Sequence, residues 1–268
     1  MSDLVIARRY SREKAFEIFD CLDVSLATLA DYRARLMPFL DFIERNGFNP
    51  NTLLAYKRSL KLRSDLSTST KNKLLTVARV FLKELNRQGL LSVDITQNIR
   101  YFSQTCKHKK DGLTDSEVTR LSYYLQLLPK TSENARLKAI ISLLTLQGMR
   151  QIEVVRLNVS DLHLTRSKAY VQGKGDDHKE AISLHPETVR LLKEYLASNK
   201  VADGALFTSN SNNSYRRRLS TRSIQRLVIG VFQELEISKS IHGLRHYYAT
   251  KLIRAYEGDL LHVNLPKF

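Results

Sequence analysis

Cysteine is scarce in this 268-residue chain: Cys21 and Cys106 are the only two. That count fits a reduced, cytoplasmic protein, and neither has a partner at metal-ligand spacing. Long apolar runs are missing too, and none approaches membrane-spanning length. The opening MSDLVIARRYSREK has no extended apolar core and no cleavage-like site, so no signal peptide is expected. No segment is low in complexity, and no internal repeat appears. No amphipathic anchor and no basic run beside an apolar one is seen, which argues against a membrane surface as partner.

Acidic residues are in short supply as well. Against 27 Asp and Glu stand 43 Lys and Arg, a formal charge of +16. Such an excess favours a polyanionic partner and says little about fold. It is not confined to a tail: residues 1–110 carry 20 basic and 11 acidic side chains, the remainder 23 and 16. Both halves are therefore expected to face the same polyanion, nucleic acid first, although a generally basic solvated surface has the same composition.

The length suits one large or two modest domains. From Val24 to Asn46, Leu29, Leu36, Leu40 and Ile43 recur at helical spacing, with Gly47 as a stop. NPNTLLAYKRSL predicts a short second helix, Asn49 its cap and Pro50 in its first turn. STSTKNKLLTVARVFLKELNRQG predicts a third, ending at Gly89, and a further short helix is expected around VDITQNI. The expected order is an N-terminal extension at 1–20, a helical domain at 21–105, a basic linker at 106–112 and a second domain at 113–268. Thr114 and Glu117 form a capping-box pattern at the start of that domain. NARLKAIISLLTLQG predicts a buried helix, followed by a short one in MRQIEVVRLNVSDLHL. KAYVQGKGDDHKEAISL changes period and predicts a β-hairpin around a Gly- and Asp-rich turn. Two more helices follow, in HPETVRLLKEYLAS and TRSIQRLVIGVFQELE. The fold class is mainly α with a small β-sheet.

Three local patterns have chemical potential. In GMRQIEVVRL, Arg150 opens a helix, where the dipole disfavours a cation unless the side chain meets an anion; Glu153 follows at helical spacing. In QGKGDD, glycines flank Lys174 and leave its ammonium free to reach a phosphate or donate a proton. In HGLRH, His242 and Arg245 are three apart on one helix face, pairing a titratable ring with a fixed guanidinium. Each also fits an ordinary role: a surface arginine, a turn lysine, a helix cap with an ion pair. Their conjunction, in this order in one basic chain, is far more specific than its parts.

In LTLQGMRQIEVVRLNVSDL, VQGKGDDHKEAISL and HGLRHYYATKLI the chain resembles the tyrosine recombinases, the phage-integrase-like site-specific DNA recombinases. The likeness spans roughly residues 20–262, by pattern alone in the first domain. It implies a helical core-binding (SAM-like) domain, then an α+β catalytic domain, the two forming a C-shaped clamp on double-stranded DNA. It implies a homo-oligomer on DNA and neither metal nor nucleotide cofactor. By position, Arg150 and Arg245 would hold the non-bridging oxygens of the scissile phosphate. Lys174 would protonate the leaving 5′ oxygen, His242 would assist proton transfer, and Glu153 would support the site. Lys107, Lys109, Lys110, Arg216, Arg217 and Arg218 are expected DNA contacts.

The family's nucleophilic tyrosine, which forms a 3′-phosphotyrosyl bond, lies further beyond the second arginine than Phe268 does. Tyr247 and Tyr248 abut Arg245 in a helix expected to pack the core. A straight helix carries Tyr256 about 16 Å from Arg245. Tyr215 sits in the basic stretch NNSYRRRLS. None matches the family position, and no catalytic tyrosine is assigned. The expectation is a recombinase whose nucleophile, if any, comes from elsewhere, with assembly weakened where the family's C-terminal segment is missing. The alternative is a non-catalytic DNA-binding remnant or regulator.

Overall fold

The structure, a computed structural model, describes residues 12–104, 112–173, 178–209 and 215–256. The chain divides into two compact units, Met1–Lys107 and His108–Phe268.

The first unit is helical. Helix α1 (Arg12–Glu17) runs into a 3-10 turn (Ile18–Cys21), and α2 (Leu26–Asn46), α3 (Thr52–Leu62) and α4 (Thr68–Arg87) follow. Helix α2 starts where the Ser25 hydroxyl accepts from the Thr28 N–H, and stops where the Gly47 N–H donates to Ile43. It buries Leu36, Phe39 and Ile43 on one stripe. Helix α4 supplies the broadest apolar face, and Phe81 on it meets both Phe19 and Phe39 edge-on, at 6.0 and 6.4 Å.

Ala15, Ile18 and Phe19, within the segment expected as an N-terminal extension, are buried in this core. Two local expectations differ from the structure. Helix α3 begins at Thr52, because Asn49 and Pro50 precede it in a turn where the Asn49 side chain accepts from the Asn51 N–H. No helix forms at VDITQNI: the Asp94 carboxylate accepts from both the N–H and the hydroxyl of Thr96, a local bond that competes with a helix. Residues 99–102 run along α4, where Asn72 exchanges two 2.9 Å bonds with the Phe102 backbone and Arg79 stacks on Tyr101.

The second unit contains α5 (Asp115–Leu127), α6 (Ser132–Thr145), α7 (Gln151–Arg156), α8 (Pro186–Asn199), α9 (Thr221–Glu234) and α10 (His242–Ala255). Between α7 and α8 lies an antiparallel sheet of β1 (Leu162–His163), β2 (Lys168–Gln172) and β3 (Lys179–Ser183), in the order β1-β2-β3. The predicted hairpin is its β2–β3 pair, with Gln172 opposite Lys179. Ala169 and Val171 point inward and Lys168 and Tyr170 outward, the alternation of a half-buried strand. Helix α6 is buried almost throughout and forms the centre of the core with Leu192, Phe207, Val228, Phe232 and Leu244. Among the described residues no helix is long and apolar enough to cross a membrane.

The Thr114–Glu117 capping box is present. The Thr114 N–H donates to Glu117 at 2.7 Å, and the Glu117 N–H donates to the Thr114 hydroxyl at 3.2 Å. Thr114→Ala should cost about 1 kcal/mol, read by chemical denaturation. An unchanged midpoint would show that the box is not needed to hold α5.

Candidate functional site

The site forms where α6 gives way to α7 and α10 packs against the connection. Gly148 turns the chain at φ +59°, a left-handed conformation that favours glycine. There is also no room for a side chain: a Cβ at Gly148 would lie 2.2 Å from Cδ1 of Tyr248. Tyr248 and Arg245 are three apart on α10, and both meet this turn. The Tyr248 ring covers Gly148, and an Arg245 Nη1–H donates to the Gly148 carbonyl. Two contacts one helical turn apart thus fix α10 on the α6–α7 connection.

Arg150 occupies the N-cap position of α7 and Glu153 its first turn. The Glu153 carboxylate is 1% exposed and accepts twice from Arg150: from the backbone N–H at 2.7 Å and from the guanidinium at 2.7 Å. The Arg245 guanidinium lies 3.9 Å from the same carboxylate. One buried acid therefore orients two cations, and the trio keeps a net positive charge. The two arginines keep 23% and 14% of their side-chain surface exposed, so both remain reachable. Burial, then the like charge of Arg150, hold Arg245 below the usual guanidinium range, with Glu153 opposing. A dianionic or monoanionic oxyacid placed there would relieve that strain between like charges.

His242 opens α10, exposed, on the face it shares with Arg245. Arg216 and Arg217 lie in a short antiparallel pairing of residues 207–209 with 216–219; both are exposed, and Arg216 stacks on Tyr215. Arg218 departs from its neighbours. Its guanidinium donates to the carbonyls of Val155 and Leu157 at 2.6 and 2.9 Å and to Asn158 Oδ1 at 2.5 Å. Val155 is in the last turn of α7, whose carbonyls lack intrahelical donors, and Arg218 supplies it with one. Its guanidinium thus supports the end of α7, while the residue itself stays exposed. Lys174, Lys107, Lys109 and Lys110 lie outside the described residues. Among the described residues no cluster of three or more His, Cys, Asp or Glu side chains is placed to hold a metal ion.

The tyrosines beside Arg245 are engaged in packing. Tyr247 interacts with Asp115 through its hydroxyl, and burial together with that acid raises its pKa. Burial raises Tyr248 as well. Both shifts run against what an activated phenolate nucleophile needs.

The sequence model of the phage integrase family matches residues 112–259, most of the second unit. The tyrosine recombinase XerD of Oceanobacillus iheyensis is 31% identical over 248 residues, covering 79% of this chain and 81% of that protein. The chain belongs to the tyrosine recombinase family. XerC of Proteus mirabilis, another member, is 26% identical over 247 residues, covering 88% of this chain and 78% of its own. The fold agrees with solved recombinase structures. XerH bound to its difH substrate before cleavage aligns at a TM-score of 0.70 and 19% identity, over 96% of this chain and 78% of that one. Lambda integrase residues 75–356 bound to DNA align at 0.70 and 17% identity, over 99% and 91%.

Some supporting residues of this family member carry little signal in its sequence. The Asn158 N–H donates to Asp161 at 2.9 Å, and Asp161 pairs with Lys179 at the root of β3. The spacing Asn-x-x-Asp in NVSDLHL is a capping signal that would have found the first contact. The second joins residues of two different elements and has no local signal.

Proposed function

We propose that this chain is a DNA-binding site-specific recombinase of the tyrosine recombinase family, and that Arg150 and Arg245 hold a backbone phosphate of duplex DNA. The observation that carries the proposal is the placement of two partly exposed guanidiniums on one buried carboxylate. Such an arrangement is preorganised for the charge of a phosphorane and needs little rearrangement when that charge develops. His242 shares a face with Arg245 and is assigned proton transfer; Lys174, by its match to the family hairpin, is assigned protonation of the leaving oxygen. Arg216 and Arg217, exposed, and Lys107, Lys109 and Lys110 are assigned to flanking phosphates. The charge of +16 and the DNA complexes of XerH and lambda integrase support the same partner. Lambda integrase is also known as a tetramer on a Holliday junction, which supports self-association of this chain on DNA. The two units, with their boundary near the basic stretch around Lys107, are assigned as core-binding and catalytic domains.

The nucleophile is not assigned to Tyr247 or Tyr248, whose rings are committed to packing and whose pKa values are raised. Where strand cleavage occurs, its tyrosine is neither of these two. The same observation favours the second reading, a chain that binds DNA without cleaving it.

One experiment separates these. The purified chain is incubated with nicked duplexes carrying candidate attachment sites, and covalent adducts are resolved on a denaturing gel. Duplex binding is measured in parallel against salt. Binding should fall by roughly three orders of magnitude between about 50 and 200 mM salt, as counterion release from several phosphates requires. Binding without a covalent band would support the non-cleaving form; an adduct mapped to Tyr247 or Tyr248 would overturn the assignment made here. Equal preference for RNA and duplex DNA would sink the proposal itself.

A further inference from the structure

Helix α7 carries a third charged residue whose side chain goes elsewhere. Arg156, its last residue, is partly buried and donates from Nη1 to the carbonyl of Gly173 at 2.8 Å. Gly173 follows the last residue of β2 and immediately precedes Lys174. The opposite arm is tied down as well. Lys179, the first residue of β3, pairs with Asp161, whose own side chain is 7% exposed and also accepts from the Asn158 N–H. Gln172 and Lys179 face each other across the ladder, so the two ties act on the same end of the hairpin. One comes from the last residue of α7, the other from the turn that follows it.

Neither tie is needed to form the sheet, whose rungs run from Lys168–Ser183 to Gln172–Lys179. Just beyond the last rung, Gly173 has no Cβ to restrict its own backbone. A lysine acts as a mobile point charge, and its worth at a phosphate depends on where its backbone is held. We propose that Arg156 is a positioning residue: by holding the Gly173 carbonyl it couples the hairpin to the same short helix that carries Arg150 and Glu153. The hairpin end at Gly173 and the Arg150–Glu153 pair are then tied to one short helix. This rests on the assignment of Lys174 to a DNA phosphodiester made above. The bland alternative is a surface arginine that offsets the C-terminal dipole of α7. It predicts no link between Arg156 and Lys174.

The test uses the full chain and four variants: Arg156→Ala, Arg156→Lys, Lys174→Ala and the double Arg156→Ala/Lys174→Ala. Hydrogen exchange in the free protein should quicken in residues 168–183 of Arg156→Ala and stay unchanged in α10. Duplex affinity should drop about fivefold in Arg156→Ala, the worth of one net hydrogen bond. Arg156→Lys should recover part of it, because an ammonium can still donate to one carbonyl. The deciding value is the double variant, which should bind no more weakly than Lys174→Ala alone. If the two losses multiply, Arg156 acts independently of Lys174 and the inference is overturned. Unchanged exchange in the hairpin would overturn it too, since the Gly173 bond would then hold nothing in place. A parent chain that fails to bind duplex DNA would instead bring down the assignment of function, and this inference with it.

Discussion

Gly148→Ala should destabilise the second unit by about 3 to 5 kcal/mol, a larger loss than most single substitutions cause. Two costs add. The backbone at φ +59° is left-handed, which an alanine adopts at a penalty of about 1 kcal/mol. The new methyl would also lie 2.2 Å from Cδ1 of Tyr248 and 2.8 Å from its Cγ and Cε1, so the ring would have to leave. Tyr248 cannot move alone, because Arg245 on the same face of α10 bonds the Gly148 carbonyl. The substitution therefore prises α10 away from the α6–α7 connection and carries the second guanidinium with it. Chemical denaturation of Gly148→Ala, Tyr248→Ala and the double variant separates the two costs. If the clash dominates, Tyr248→Ala suppresses most of the loss caused by Gly148→Ala; if the dihedral dominates, the two losses add. A Gly148→Ala chain within about 0.5 kcal/mol of the parent would refute the packing described here.

That contact also shows where sequence stops being informative. Gly148 stands in the stretch QGMRQ and Tyr248 in HYYAT, and no local rule joins residues a hundred positions apart. The local signals were legible. Ser25 and Gly47 bound α2, Thr114 and Glu117 cap α5, and the change of period after Lys168 marks the hairpin. So was the family, because Arg150, Lys174 and the His242–Arg245 pair recur in a fixed order whatever lies between them. Expectations failed where two readings of one short segment compete. Asp94 is as good a turn former as a helix starter, and its bonds to Thr96 decide for the turn. Arg218 sits in a run of three arginines, and nothing in the run says which one also donates to the Val155 carbonyl at the end of α7; its expected role toward DNA is a separate matter that this bond leaves standing. Phe19 is hidden among charged neighbours in SREKAFEIFD, where one short helix turn leaves too little periodicity to reveal a buried face.

Glu153 is the residue whose loss should be felt most widely. Glu153→Ala removes the acceptor for the Arg150 N–H and the acid between two guanidiniums, in a position that is 1% exposed. Breaking a buried charge network from one side costs about 3 to 5 kcal/mol, because the partners stay behind and lose that carboxylate. The exposed pair Arg190–Glu187 on α8 supplies the comparison: Glu187→Ala should cost less than about 1 kcal/mol. The two arginines in Glu153→Ala would then lack the carboxylate they share, and an added oxyanion should restore stability. Sulfate or inorganic phosphate should raise the melting temperature of Glu153→Ala more than that of the parent, since ligand binding to the folded state adds stability in proportion to its occupancy. Arg245→Ala in the same background should abolish that difference. Equal losses from Glu153→Ala and Glu187→Ala would mean that the acid does not hold the arginines together. A loss without anion rescue would mean that it holds them for packing and not for a phosphate.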